Sequence, residues 1–120
     1  AIALIADLAA EEVDFASIGS NDLTQYLSAA DRMNPEVAAY YKSDSTAMLR
    51  LLGFVFREFS KREKEISVCG EMAGNPETAQ LLVGLGARKL SMSSGNIAGV
   101  KAKLAECTLQ ELTALAEKKL

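Results

Sequence analysis

The sequence predicts an α/β protein in which about three short parallel strands alternate with helices. Three observations predict it. Short apolar runs that end in small or polar turn formers recur at Val13 to Ile18, Ile66 to Gly70 and Lys89 to Met92. Segments with apolar residues at helical spacing lie before, between and after them. The runs are also separated by far more residues than a hairpin needs, so helical crossovers and parallel pairing are expected.

The elements follow in order. Ile2, Leu4, Ile5 and Leu8 among alanines read as a helix closed by Glu11 and Glu12, rather than a leader peptide, because no basic stretch precedes them. The strand from Val13 to Ile18 enters the turn formers Gly19-Ser20-Asn21-Asp22, read as a loop. A helix follows, with Leu23, Tyr26, Leu27 and Ala30 as its apolar stripe. Pro35 to Tyr41 suggests a short helix, and Ser43 or Asp44 is positioned to cap a longer one running to about Arg62. Its stripe is Met48, Leu51, Leu52, Val55 and Phe59. Leu49, Phe54 and Phe56 fall outside that stripe, which suggests contact with a second chain or with further parts of the protein.

After the second strand, Asn75 is placed to cap a helix with Pro76 at its first position, ending at Gly84-Leu85-Gly86. Ser93 to Asn96 opens the next helix, and Thr108 with Glu111 has the capping-box spacing for the last. Three strands are few for a parallel sheet, whose faces and edges need cover, so residues 1–120 are expected to be part of something larger.

Composition narrows the function. With 49% hydrophobic and 24% charged residues the chain can bury a core. Its net charge of −3 is scattered, without the basic patch of a nucleic-acid binder. No apolar stretch approaches the roughly 20 residues that span a bilayer, so no membrane insertion is expected. Cys69 and Cys107 lie far apart without CxxC spacing, which fits a reducing compartment such as the cytoplasm. Histidine is absent, so any chemistry on this chain falls to Cys, Asp, Glu, Lys or Arg.

The polar residues at the three strand ends are the candidates: Ser20-Asn21-Asp22, Cys69-Gly70-Glu71 and Ser93-Ser94-Gly95-Asn96. Parallel α/β folds gather such strand ends around one ligand site. Taken singly, each residue has a plainer reading. Asn-Asp after a strand caps a helix, a cysteine at a strand end packs as a small hydrophobe, and Arg32 is a surface cation. Cys107 has no motif around it and is read as packing. The Ser93 to Asn96 segment is read as a capped helix start, with backbone N–H groups that an anion could also use.

In combination they say more. SIGSNDLTQYLSAADR, residues 17 to 32, resembles the signature of the phosphoenolpyruvate-utilising enzymes, and VCGEMAGN, residues 68 to 75, resembles their cysteine loop. TQY around Tyr26, AADR ending at Arg32 and GEMAG after Cys69 look more like enzyme I of the phosphotransferase system than like pyruvate phosphate dikinase or phosphoenolpyruvate synthase, which stay as alternatives. Met33, Asn75 and Ser93 to Asn96 depart from residues common in that family.

The resemblance implies the C-terminal part of a (β/α)8 TIM-type barrel. It also implies roles: Asp22 as a Mg²⁺ ligand, Asn21 on the phosphate end of phosphoenolpyruvate, Arg32 on the substrate's anionic groups, and Cys69 as the acid that protonates the enolpyruvate methylene carbon. Glu71 nearby, and no Lys or Arg in ISVCGEMAGN, suit a thiol that keeps its proton. By the same resemblance a second metal carboxylate, further substrate-binding arginines and the phosphoryl-accepting histidine lie outside this chain. The implied partners are phosphoenolpyruvate and pyruvate, a phosphocarrier protein reached through another domain, and a second copy of the chain. The long helix near Phe54 and Phe56 is the surface expected to associate.

Overall fold

Strand β1 (Phe15–Gly19), β2 (Glu65–Cys69) and β3 (Lys89–Leu90) form one sheet in the order β1-β2-β3, with both pairings parallel. This arrangement comes from a computed structural model that describes residues 1–120. A 3-10 turn (Ile2–Ile5) and α1 (Ala6–Glu12) precede β1. The first crossover contains α2 (Ser20–Ser28), a 3-10 segment (Pro35–Tyr40) and α3 (Thr46–Lys61), and the second contains α4 (Glu71–Gly74) and α5 (Pro76–Leu85). Helices α6 (Ser94–Ala105) and α7 (Leu109–Glu117) follow β3. The α/β class and the three parallel strands expected from the sequence are present.

Strand register explains which side chains meet the helices. Ile18, Val68 and Leu90 stand side by side across the sheet, with Ala16 beside Ile66 on the same face. This face joins two apolar clusters. One brings Met48, Leu49, Leu52 and Phe56 of α3 together with Val68, Met72, Leu81 and Leu82. The other packs Ala6 and Ala10 of α1 against Val55 and Phe59 of α3. Leu49, Leu52 and Leu82 are fully buried, and each such side chain contributes about 2 kcal/mol relative to exposure.

The opposite face is different in kind. Its rows are Phe15 beside Glu65, Ser17 beside Ser67 and Lys89, and Gly19 beside Cys69. Phe15, Ser17 and Lys89 are exposed, and a Lys89–Glu65 ion pair of 2.7 Å lies along the strand starts. Helices thus cover one face of a parallel sheet, while the other is left open and, apart from the exposed Phe15, carries small, polar or charged side chains. A wall cut from a (β/α)8 barrel has this pattern, with helices outside and alternate residues pointing inward.

Several local expectations hold. Asn75 accepts hydrogen bonds from the backbone N–H groups of Glu77 (2.9 Å) and Thr78 (3.1 Å), with Pro76 at the first helical position. Thr108 and Glu111 make both bonds of the capping box. Glycine at position 84 allows α5 and α7 to touch, since a Cβ there would overlap the carbonyl of Leu112.

Other expectations are corrected. Ser45, not Ser43 or Asp44, caps α3, accepting from the Met48 N–H at 3.3 Å. Leu49 and Phe56 are not an association surface: both are buried inside this chain, because α3 is wedged between α1 on one side and the sheet with α4 and α5 on the other. Helix α2 follows Gly19 with no intervening loop, so Ser20, Asn21 and Asp22 form its first turn. Its buried residues are Ser20 and Thr24; of the predicted stripe Leu23 packs on the core and Ala30, just past the helix, is buried, while Tyr26 and Leu27 are exposed. The cysteine segment is also followed by a helical turn, α4, where a loop was expected.

Candidate active site

The C-terminal ends of β1 and β2 interlock through short side chains. Ser20, at the start of α2, donates its hydroxyl to the Cys69 carbonyl at 2.7 Å and is fully buried. One turn on, Thr24 donates to the Ser20 carbonyl at 2.8 Å and is also fully buried. Asn21 accepts the Glu71 backbone N–H on its Oδ1 at 3.0 Å, which leaves the two donors of its Nδ2 group for another partner. Tyr41 donates its hydroxyl to the Asn21 carbonyl at 3.1 Å and so ties the long first crossover to the same turn.

Gly70 makes this interlock geometrically possible. Its φ of 100° and ψ of −171° belong to a region that is essentially glycine's alone. A Cβ there would also lie 2.5 Å from Ser20 Oγ and 2.9 Å from Asn21 Oδ1.

Cys69, the last residue of β2, is half-buried on the open face of the sheet. Its Sγ donates to the Ile18 carbonyl at 3.5 Å and lies 3.9 Å from the Ser17 hydroxyl, which donates to it. Ser91, Met92 and Ile97 complete a groove with Cys69, Ser17, Ser67 and Lys89. The third strand end therefore does approach the other two. Its Asn96 also packs on α4, with Nδ2 2.6 Å from where a Cβ on Gly74 would stand.

Asp22 lies in the first turn of α2, where the positive end of the helix dipole favours a carboxylate. Arg32 reaches it at 3.8 Å, and both side chains are well exposed. A surface pair at that separation is worth at most about 1 kcal/mol, so either partner can exchange it for a ligand. Cys69 makes no hydrogen bond to Asp22 or Arg32. The chain contains no cluster of three His, Cys, Asp or Glu side chains able to enclose a metal ion. One exposed carboxylate, Asp22, is nevertheless a fitting oxygen donor for Mg²⁺, which is commonly bound by one or two carboxylates with substrate oxygens and water.

Sequence reasoning singled out Asn21, Asp22, Arg32 and Cys69, and named Ser20 only as one of the polar residues at a strand end; it gave no part to Ser17, Thr24 or Tyr41. The Ser20–Thr24 spacing of one helical turn was a readable signal for a polar buried face, whereas the partners of Ser17 and Tyr41 come from distant segments.

In this parallel α/β sheet the polar residues of two strand ends are locked together beside an exposed carboxylate–guanidinium pair and a half-buried thiol, and strand ends are where parallel α/β folds place their ligand sites. Residues 1–109 match the family model of the PEP-utilising enzyme, PEP-binding domain, and the chain belongs to that family. It is 46% identical over 120 residues to the multiphosphoryl transfer protein of Xanthomonas campestris pv. campestris, covering all of this chain and 14% of that protein. It is 43% identical over 116 residues to the phosphoenolpyruvate-protein phosphotransferase of Bacillus subtilis, covering 97% of this chain and 20% of that protein. A third relative, the phosphoenolpyruvate-dependent phosphotransferase system protein of Salmonella typhimurium, is 43% identical over 111 residues, 92% of this chain and 15% of its own length. The chain thus spans a fifth or less of the length of these relatives. No helix is long and apolar enough to cross a membrane.

Proposed function

We propose that residues 1–120 are the C-terminal part of the barrel domain of a phosphotransferase-system enzyme I, which moves the phosphoryl group of phosphoenolpyruvate to a histidine on another domain and then to a phosphocarrier protein. The observation that carries this reading is the interlock of Ser20 and Asn21 with Cys69 and Glu71, which gathers the signature turn and the cysteine at one end of the sheet. The sheet face left uncovered by the helices supports its placement as barrel wall.

Each residue has a role that its surroundings support. Asn21, with Oδ1 engaged by Glu71 N–H, offers Nδ2 donors to the phosphate. Arg32 neutralises anionic oxygens of the substrate from beside Asp22. Asp22 serves as one ligand of Mg²⁺, and that ion, when bound, withdraws charge from phosphate oxygens. As the P–O bond breaks and the phosphoryl group passes to the histidine, the enolate oxygen regains its carbonyl, and the methylene carbon takes the proton from Cys69 Sγ. The thiolate left behind is reprotonated after pyruvate departs. The Ile18 carbonyl, 3.5 Å from Sγ, and the Ser17 hydroxyl, 3.9 Å away, hold the thiol at the end of β2. The two free thiols, Cys69 and Cys107, fit the cytoplasm as compartment.

Solvent-proton exchange into the methyl of deuterated pyruvate, with Mg²⁺ and phosphate, tests this in the full-length protein that carries the segment. Exchange is expected in the parent and lost in Cys69→Ala. Exchange that persists in Cys69→Ala removes the acid role from this residue.

A further inference from the structure

We propose that Gln25 is a positioning residue for Arg32: its side-chain oxygen fixes the Arg32 backbone so that the guanidinium remains over Asp22 and within reach of an anionic substrate. The inference rests on the functional reading above, in which Arg32 binds the substrate.

The argument begins with how the chain leaves α2. The helix stops at Ser28, and Ala29 turns the backbone in the left-handed region with φ 50° and ψ 35°. The Ala29 and Ala30 N–H groups close on the carbonyls of Tyr26 (3.4 Å) and Gln25 (3.2 Å), and Ala30 is buried. From Ala30 onward the chain is on the surface. The backbone of Arg32 makes a single hydrogen bond, its N–H donating to Gln25 Oε1 at 3.1 Å. Its side chain has one charged partner, Asp22 at 3.8 Å.

Gln25 occupies a particular place in the helix. It lies three residues after Asp22 and four after Asn21, so all three share one face of α2. An amide on that face links the residues that carry the anion-binding chemistry to the surface segment that brings Arg32 back over them. A long, exposed arginine has large rotamer freedom. Fixing the point where its side chain begins narrows the volume its guanidinium samples, which favours binding more than it changes the bond-breaking step.

Steady-state kinetics of the full-length protein with phosphoenolpyruvate and Mg²⁺ tests the proposal through a double-mutant cycle. Gln25→Met is expected to raise KM about fivefold, the size of one neutral hydrogen bond, with kcat nearly unchanged. Gln25→Asn keeps the amide but falls one methylene short, and the same rise is expected; it also serves if the Met variant does not fold. In an Arg32→Ala background neither substitution should raise KM further. An undiminished effect of Gln25→Met in that background overturns the proposal, because Gln25 would then act independently of Arg32. So does an unchanged KM in both Gln25 variants while Arg32→Ala alone raises it. An unchanged KM in Arg32→Ala itself overturns instead the reading of Arg32 as a substrate ligand.

Discussion

The two ends of the sheet are built from opposite materials. At the C-terminal end, neutral side chains of short reach are packed with almost no spare volume: Ser20, Asn21 and Thr24 bond to backbone groups around Gly70. At the N-terminal end, long charged side chains lie at or near the surface. Arg62 bridges Glu11 (2.9 Å) and Glu58 (3.0 Å), Lys61 meets Glu58 at 2.7 Å, and Lys89 meets Glu65 at 2.7 Å. Arg62 and Lys61 also stand at the C-terminus of α3, where the helix dipole favours cations. Short side chains bonded to backbone tie the first end together, and side chains on long flexible stems pair at the second. Under the function proposed above, the Asn21 amide and the Cys69 thiol lie at the first end, with the exposed Asp22–Arg32 pair at its rim.

The largest expected effect is at Gly70. Gly70→Ala combines a forbidden backbone region with a Cβ 2.5 Å from Ser20 Oγ, and should cost about 3 kcal/mol or prevent folding. Urea unfolding followed by circular dichroism reads the loss, and a change under about 1 kcal/mol would mean that the interlock gives way easily. Next comes Ser20→Ala, which leaves the Cys69 carbonyl without its buried partner; about 1–2 kcal/mol should be lost, with methyl-proton exchange of pyruvate reduced alongside it. Equal stability and exchange in the variant would remove Ser20 from the positioning of Cys69.

Two helix ends use non-glycine residues in the left-handed region: Ala29 at φ 50°, leading to Arg32, and Glu63 at φ 54°, after α3. Ala29→Gly and Glu63→Gly should each stabilise by about 0.5–1 kcal/mol, since relief of the Cβ clash exceeds the added unfolded-state entropy. Thermal melting checks both. The smallest effect is at the charged end. Hydrogen bonding by Lys61, joined by Arg62, outweighs burial and holds the Glu58 carboxyl below the usual glutamate range. A depressed carboxyl stabilises the fold fully above the unfolded value of about 4.3 and loses that contribution as pH falls through the folded value. Glu58→Gln should therefore melt lower than the parent at pH 7, with the gap closing at the acid end of that window and narrowing in high salt.

Much of this was legible in the sequence because it is local. The caps at Asn75 and Thr108 are decided by residues within one turn of each other. The strands, the parallel pairing, and the two motifs at residues 17 to 32 and 68 to 75 are contiguous patterns. Asp22 and Arg32 belong to one contiguous motif, and their meeting at 3.8 Å is added by the structure.

The order of elements, the α/β class and the identity of the polar residues at the strand ends are thus written in the chain itself. Which residues are inside depends on how the elements pack. Phe56 and Leu49 are buried because α3 is covered on two sides, and Tyr26 is exposed because α2 turns its serine and threonine inward to bond backbone. Helical periodicity records that a face is apolar, not how many neighbours surround the helix. Likewise no local pattern encodes that Ser20 reaches Cys69, 49 residues away, or that Asn21 reaches Glu71. Those contacts exist because parallel pairing sets Gly19 beside Cys69, and hydrogen bonds of about 3 Å form only between groups that the sheet has already brought together.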